Sequence, residues 1–280
     1  SYLNQLLPPF FKALLDYTAS SSYSWHSPGH GGGVAFRKSP VGRAFHDFFG
    51  ENTLRSDLSV SVPGLGSLLD HTGPVAEAEA NTARTFGADH SFYVVNGTST
   101  SNKIIWHAYV TRDDLVLVDR NCHKSILHAI IMTGAIPIYL SGSRNDYGII
   151  GPIGREAFAP AALQQLIDEH PLLDGSKRQI KLAVLTNSTY DGLCYNTEMI
   201  KDQLQDSVDV LHFDEAWYGY AAFHPFYHGR HGMSEKVAAP RAKHPLVFAT
   251  QSPHKVLAAL SQASIILAKD SAEQQLDRER

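Results

Sequence analysis

The run Thr250-Gln251-Ser252-Pro253-His254-Lys255-Val256 sets a lysine between a β-rich stretch, Leu246 to Ala249, and a second apolar run. A lysine at a strand end can condense with an aldehyde to form a Schiff base. Taken alone, such a lysine is usually a solvated residue that opens a helix. Asp214 adds a second reactive group, because it ends another strand-like run, Val208 to Phe213. A carboxylate beside a pyridine nitrogen favours the protonated, cationic ring, at about 1.36 kcal/mol for each pKa unit. An amine and an acid at two strand ends form the skeleton of a pyridoxal phosphate site. Glu215, next along the chain, reads as a solvated or salt-bridged carboxylate.

Other segments could supply the remaining contacts. Asn96-Gly97-Thr98-Ser99-Thr100-Ser101 follows a strand and opens a helix, so free N–H groups and hydroxyls converge where an anion could sit. Its spacing fits neither a P-loop nor a dinucleotide fingerprint, and a plain hydroxyl-rich helix cap is the alternative. His123 follows the next strand at the carboxyl edge, where α/β sheets bind ligands; it could stack on a flat ring or merely cap a helix. Asn187-Ser188-Thr189-Tyr190-Asp191-Gly192 could offer a donor to a ring hydroxyl or make a turn. His224, His228 and His231 lie among Pro225, Gly229 and Gly232, a loop context that aligns no helical face for a metal; no metal site is expected. No GxSxG elbow marks a hydrolase triad.

These groups need a scaffold that brings distant segments to one edge. Short β-branched or aromatic runs at Ser91 to Val95, Leu115 to Asp119, Ile136 to Leu140, Leu182 to Thr186, Val210 to Phe213, Leu246 to Thr250 and Ser264 to Ala268 read as strands. Helices fit between them at Ser99 to Val110, Lys124 to Thr133, Ala161 to Glu169 and Glu198 to Gln205. Gly134 serves as C′ of the second and Thr197 as N-cap of the fourth. The pattern predicts an α/β fold with a seven-stranded, mostly parallel sheet covered by helices on both faces. Only about a dozen residues separate the last two strands, too few for a full crossover, so the last strand is expected to be antiparallel. Upstream, a helix from Pro9 to Tyr17 and another from Pro74 to Phe86, stopped by Gly87, flank an ordered but irregular stretch with short elements, Ser20 to Asp70. The charged tail, Asp270 to Arg280, reads as helical or frayed.

Bulk composition fits such a chain. Its 280 residues are 43% hydrophobic and 19% charged, with a net charge of −4, which leaves no footprint for nucleic acid or an anionic membrane. No apolar stretch approaches the ~20 residues of a membrane-spanning helix, and no signal peptide opens the chain. Two distant cysteines, Cys122 and Cys194, fit small buried hydrophobes in a reducing cytoplasm.

Together the segments resemble the Orn/Lys/Arg decarboxylases, bacterial enzymes of the aspartate-aminotransferase fold, or fold type I. The likeness is carried by His26-Ser27-Pro28-Gly29-His30, Ser39-Pro40-Val41-Gly42-Arg43, Leu68-Leu69-Asp70-His71-Thr72-Gly73-Pro74 and Val95-Asn96-Gly97-Thr98-Ser99-Thr100. It continues through Asp119-Arg120-Asn121-Cys122-His123-Lys124-Ser125, Thr186 to Gly192, Phe213-Asp214-Glu215-Ala216-Trp217 and Ser252-Pro253-His254-Lys255. The resemblance implies decarboxylation of a basic L-amino acid, lysine or arginine ahead of ornithine. It also implies pyridoxal phosphate held by Lys255, Asp214 on the pyridine nitrogen, His123 on one ring face and Ala216 near the other. Thr98, Ser99 and Ser252, with the backbone around Gly97, would bind the phosphate; Trp217 and His254 would be close neighbours. An aminotransferase or lyase of the same fold, or a catalytically incomplete fragment that binds the cofactor, is the alternative. Family members commonly have threonine where Pro253 stands. They also continue past the lysine into a C-terminal domain, so residues 1–73 are expected to form an N-terminal helix and interface segment and 74–280 the cofactor-binding large domain. A homodimer or larger homo-oligomer is implied as well.

Overall fold

The computed structural model describes residues 2–20, 25–59, 62–173, 179–235 and 245–270. The chain divides into two compact units, Ser1–Thr82 and Ala83–Arg280.

The first unit carries α1 (Tyr2–Leu6), α2 (Pro9–Ala19), α3 (Pro40–Phe49), α4 (Glu51–Ser56) and the start of α5 (Gly73–Phe86), whose last turn belongs to the second unit. Prolines open α2 and α3, where a missing N–H costs nothing. Ser39 caps α3 by accepting the Gly42 N–H at 3.0 Å. The short elements expected within the irregular stretch are thus helical. The Ser39-Pro40 pair is an N-cap followed by a first-turn proline, a start signal hidden among the surrounding glycines. Phe36, Phe45 and Phe49 meet in sequence as tilted pairs with ring centroids 4.6 Å apart, a row of rings of which Phe45 and Phe49 remain exposed.

The second unit is the α/β sheet. It contains β1 (His90–Val94), α6 (Thr98–Tyr109), β2 (Leu115–Asp119), α7 (Lys124–Thr133), β3 (Ile136–Leu140), α8 (Pro160–Asp168), β4 (Ile180–Thr186), α9 (Thr197–Leu204), β5 (Val208–Asp214), β6 (Leu246–Gln251), α10 (Pro253–Val256) and β7 (Ser264–Lys269). The strand order is β1-β7-β6-β5-β4-β2-β3. Pairing is parallel from β6 through β5, β4 and β2 to β3, while β7 runs antiparallel to both β6 and β1, as the short last connection requires.

Alternation along each strand feeds two cores. Leu117, Ala183, Leu185, Leu211, Phe213 and Leu267 pack on one face with Leu163 and Ile167 of α8 and Ile200 and Leu204 of α9. Val116, Val118, Leu182, Val184 and Phe248 pack on the other with Ile105 and Trp106 of α6 and Ile126 and Ala129 of α7. A strand buried on both sides must be apolar at every position, which is why β2 reads Leu-Val-Leu-Val without a polar break. Gly134 ends α7 in the left-handed conformation, φ 73°. One cap differs from expectation: Asn196, not Thr197, caps α9, accepting the Met199 N–H at 3.0 Å. The buried Thr197 hydroxyl donates instead to the His231 carbonyl at 2.8 Å. The tail beyond Asp270 lies outside the described residues.

Candidate functional site

Because β2, β4, β5 and β6 are parallel, their carboxyl ends share one edge. Antiparallel β7 sends β1 in the same sense as β6 and starts at that edge itself. This delivers Gly97 after β1, His123 after β2, Asp214 and Ala216 after β5, and Ser252 and Lys255 after β6 to one cleft. The cleft has two lobes that share His123, Asp214, Ala216 and Lys255. The lobe of about 440 Å³ adds Gly97, Thr98, Ser99, Ser252 and His254; that of about 290 Å³ adds Trp217. The residues expected to hold the cofactor therefore line one cleft.

The first lobe is built to receive an anion. Gly97, at φ 74°, precedes α6 and offers no side-chain cap, so the first N–H groups of the helix have no intrahelical partner. Hydroxyls surround that helix end. Thr98 Oγ1 lies 2.6 Å from Ser252 Oγ and 2.8 Å from Ser264 Oγ, and Ser264 is also 2.8 Å from Ser101. Ser264 donates to the Gln251 carbonyl at 2.9 Å, which uses its only proton. Thr98 then donates to Ser264, and Ser252 donates to Thr98. Ser252 is the end of this relay: its oxygen receives no proton from Thr98, and its own proton can turn from Thr98 to a ligand. Ser252 is extended, φ −109° and ψ 90°, as a residue before proline must be, and Pro253 sits at the first position of α10. His254 anchors the far side through Nδ1, 2.8 Å from the Ala263 carbonyl.

The centre of the cleft is acidic and held from below. Asp214 is 4% exposed; its Oδ2 accepts from Asn102 Nδ2 at 3.0 Å, while the buried Oδ1 has no hydrogen-bond partner. Burial pushes its carboxyl up, opposed first by the Asn102 hydrogen bond and then by the charges of His123 and Lys255. His123 does cap α7, but through Nδ1, which accepts from the Ser125 N–H at 3.2 Å. Nε2 therefore carries the ring proton. Burial lowers the His123 pKa, which favours this neutral form.

The segment from Asn187 divides between the two roles left open for it, with Ser188, Thr189 and Tyr190 lining the smaller lobe, while Glu215 departs from its sequence reading. Asn187 does not line the cleft: its amide donates to Glu215 Oε1 at 2.8 Å and to the Arg230 carbonyl at 2.9 Å, so it braces the turn. Glu215 is not solvated. It is 1% exposed and also accepts from the Gly232 N–H at 2.6 Å and Gln251 Nε2 at 3.2 Å. Its place one residue past Asp214 points it to the opposite side of the chain, into a pocket lined by neutral donors. Burial lifts its carboxyl from 4.5 to about 7. A raised carboxyl means that the folded state binds the extra proton, so Glu215 favours folding below pH 4.5, and this contribution is lost as pH rises through about 7. Glu215→Gln should be tolerated, since Gln251 Oε1 lacks a partner and a flipped Gln251 amide would accept the new N–H. In urea titrations of the two proteins, the variant's stability should rise relative to wild type by roughly 3 kcal/mol between pH 4.5 and 8. A pH-independent difference would show that Glu215 does not titrate in this range.

The model of the Orn/Lys/Arg decarboxylase major domain matches residues 8–280. The chain is 67% identical over 277 residues to a lysine decarboxylase of Pseudomonas aeruginosa, covering 99% of this chain and 36% of that protein. It is 51% identical over 270 residues to the biodegradative arginine decarboxylase of Escherichia coli, covering 96% and 36% respectively. The solved structure of lysine decarboxylase A from Pseudomonas aeruginosa superposes with a TM-score of 0.91 at 68% identity, over 96% of this chain and 36% of that one. The chain thus spans about a third of the length of these relatives. With this sheet, this edge and a family match over nearly its full length, the chain belongs to the Orn/Lys/Arg decarboxylases, to whose major domain it corresponds.

Proposed function

We propose that the chain binds pyridoxal phosphate and serves the decarboxylation of a basic L-amino acid, lysine first and arginine next, to the corresponding amine and carbon dioxide. The observation that carries this reading is the orphaned Oδ1 of Asp214, buried in the wall of a cleft whose other groups are an amine and a hydroxyl-rich helix end. A buried carboxylate oxygen without a donor is costly, and the N–H of a protonated pyridine ring would satisfy it. The residues present therefore fit the group. When bound, pyridoxal phosphate supplies an aldehyde that condenses with amines and a ring that takes up the electron pair left when carbon dioxide departs.

The chain's own residues would do the rest. Lys255 offers the amine for covalent attachment and yields it to the amine of the substrate. Asp214 holds the ring-nitrogen proton at Oδ1. His123 presents a neutral imidazole to one ring face, and Ala216 leaves room at the other. Gly97, Thr98, Ser99 and Ser252 receive the phosphate, and His254 and Trp217 close the walls; the Trp217 indole is fixed by donating to the Ser188 carbonyl at 3.0 Å. The preference for lysine rests on the similarity to the Pseudomonas aeruginosa protein. A homodimer or larger homo-oligomer, a cytoplasmic location, and a division into an interface segment (1–73) and a cofactor-binding domain (74–280) belong to the same reading. Among the described residues no helix is long and apolar enough to cross a membrane.

The test is product analysis with lysine, arginine and ornithine in the presence of the cofactor. Cadaverine or agmatine with carbon dioxide supports the reading; a keto acid would place the activity with the aminotransferases. Ser252→Ala should raise the Kd for pyridoxal phosphate by about tenfold, since a hydrogen bond to a charged group is worth roughly 1.5–3 kcal/mol. Its Kd for pyridoxal, which lacks the phosphate, should not change; an equal loss for both ligands would remove Ser252 from phosphate binding.

A further inference from the structure

From the wall of the larger lobe, which Asn102 lines with Asp214 and His123, a chain of side chains runs back into the core, and its inner members have no role in the reading above. His212 is fully buried, and its Nε2 lies 3.1 Å from Thr250 Oγ1; Thr250 donates to Asn102 Oδ1 at 2.8 Å. Asn102 Nδ2 donates to Asp214 Oδ2 at 3.0 Å and to Ser125 Oγ at 2.9 Å. Ser125 Oγ lies 2.9 Å from His123 Nδ1. The donors order themselves. Thr250 spends its proton on Asn102, so His212 must donate to Thr250 from Nε2–H. That leaves His212 Nδ1 as a bare lone pair, and it is indeed unpartnered. Ser125 already accepts from Asn102, so its own proton points to His123 Nδ1. Asn102, 1% exposed, is the only member that touches both halves of the chain.

We propose that Asn102 is a positioning residue: its amide, anchored on Thr250, clamps Asp214 Oδ2 so that Oδ1 alone faces the ring nitrogen, and through Ser125 it ties that acid to His123. This rests on the reading of the cleft as a pyridoxal phosphate site and adds the group that sets the carboxylate's rotamer. An amide suits the position because its two ends differ. The oxygen takes the Thr250 proton, and the two hydrogens of the nitrogen divide between Asp214 and Ser125. A carboxylate there would repel Asp214, and an aliphatic side chain would leave Asp214 to rotate. Asn102 lies four residues after Thr98 on α6, so one helix face serves both the anion lobe and the acid beneath the ring.

The test compares pyridoxal phosphate with its 1-deaza analogue, which has carbon in place of the ring nitrogen, by measuring Kd for wild type, Asn102→Leu and Thr250→Val. Thr250→Val keeps the shape of the side chain and removes the hydroxyl that holds Asn102; it also leaves the buried His212 N–H without an acceptor, at some cost in stability, and it stands in if Asn102→Leu does not fold. Both variants should bind pyridoxal phosphate about tenfold more weakly than wild type, Thr250→Val the less affected, while affinity for the deaza analogue stays unchanged. Equal losses for the two ligands, or no loss for either, would overturn the positioning role. If wild type itself does not distinguish the ligands, the failure lies in the pairing of Asp214 with the ring nitrogen and not in Asn102. A second readout needs no turnover: with 15N-labelled cofactor, the ring nitrogen should shift toward the unprotonated position in both variants.

Discussion

On the proposed function, Lys255→Ala should abolish the covalent attachment of pyridoxal phosphate: after borohydride reduction no peptide of the variant should carry the cofactor, and decarboxylation should fall by roughly 10³-fold or more, as when a group acting directly on the substrate is removed. Lys124 is the other lysine in the cleft, but it lines only the smaller lobe, whereas Lys255 borders both. Lys255 also stands close enough to Asp214 and His123 to perturb the titration of each. It is exposed, at the end of the short α10, with its backbone N–H on the Ser252 carbonyl at 3.0 Å. Removal of its side chain should therefore move folding stability by less than about 0.5 kcal/mol, so lost attachment cannot be ascribed to unfolding. Peptide mapping decides the matter: cofactor trapped on Lys124, or retained at wild-type yield in the variant, would falsify the assignment.

The scaffold was legible because burial on both faces leaves a strong mark. Leu115 to Asp119, buried at every position, matches the sequence reading to the residue, and so does the partly buried edge strand Ile136 to Leu140. A parallel sheet then forces strand ends to one edge, and residues as distant as Gly97 and Lys255 meet there. The groups behind the edge were harder to read. Asn102 sits mid-helix, where asparagine is ordinarily unfavourable, and its polar partners Ser125 and Thr250 come from elements that are remote in sequence. The buried run Thr98, Ser101, Asn102 on one face of α6 was the available signal, since a helix that turns hydroxyls and an amide inward needs polar partners. Glu215 escaped for a different reason. Adjacent carboxylates at a strand end look alike in sequence, and only the fold shows that Asp214 opens to the cleft while its neighbour enters a neutral pocket.

Asp214→Asn separates what this residue does for chemistry from what it does to the fold. Its carboxyl is raised above the ordinary 3.8 by burial, so the folded protein holds the proton more tightly than the unfolded chain. By linkage, Asp214 then opposes folding increasingly as pH rises from the unfolded value through the folded one. An asparagine escapes this cost. Its oxygen can take the Asn102 N–H, and its own N–H₂ replaces the buried and equally unpartnered Oδ1 without carrying a charge. The cofactor-free variant should therefore melt above wild type at neutral pH, with the gap closing on acidification. With cofactor the order reverses in function. The amide presents a donor where the ring nitrogen needs an acceptor, so the protonated ring loses its partner and the developing charge at the α-carbon loses its sink. A charge-assisted hydrogen bond worth about 3 kcal/mol corresponds to a fall of roughly 10²-fold in kcat. Stabilisation by bound cofactor, read as the rise in Tm on saturation, should also be smaller in the variant. A cofactor-free variant no more stable than wild type would mean that Asp214 is not strained in the empty fold. Unchanged turnover would mean that the ring nitrogen is held by some other group.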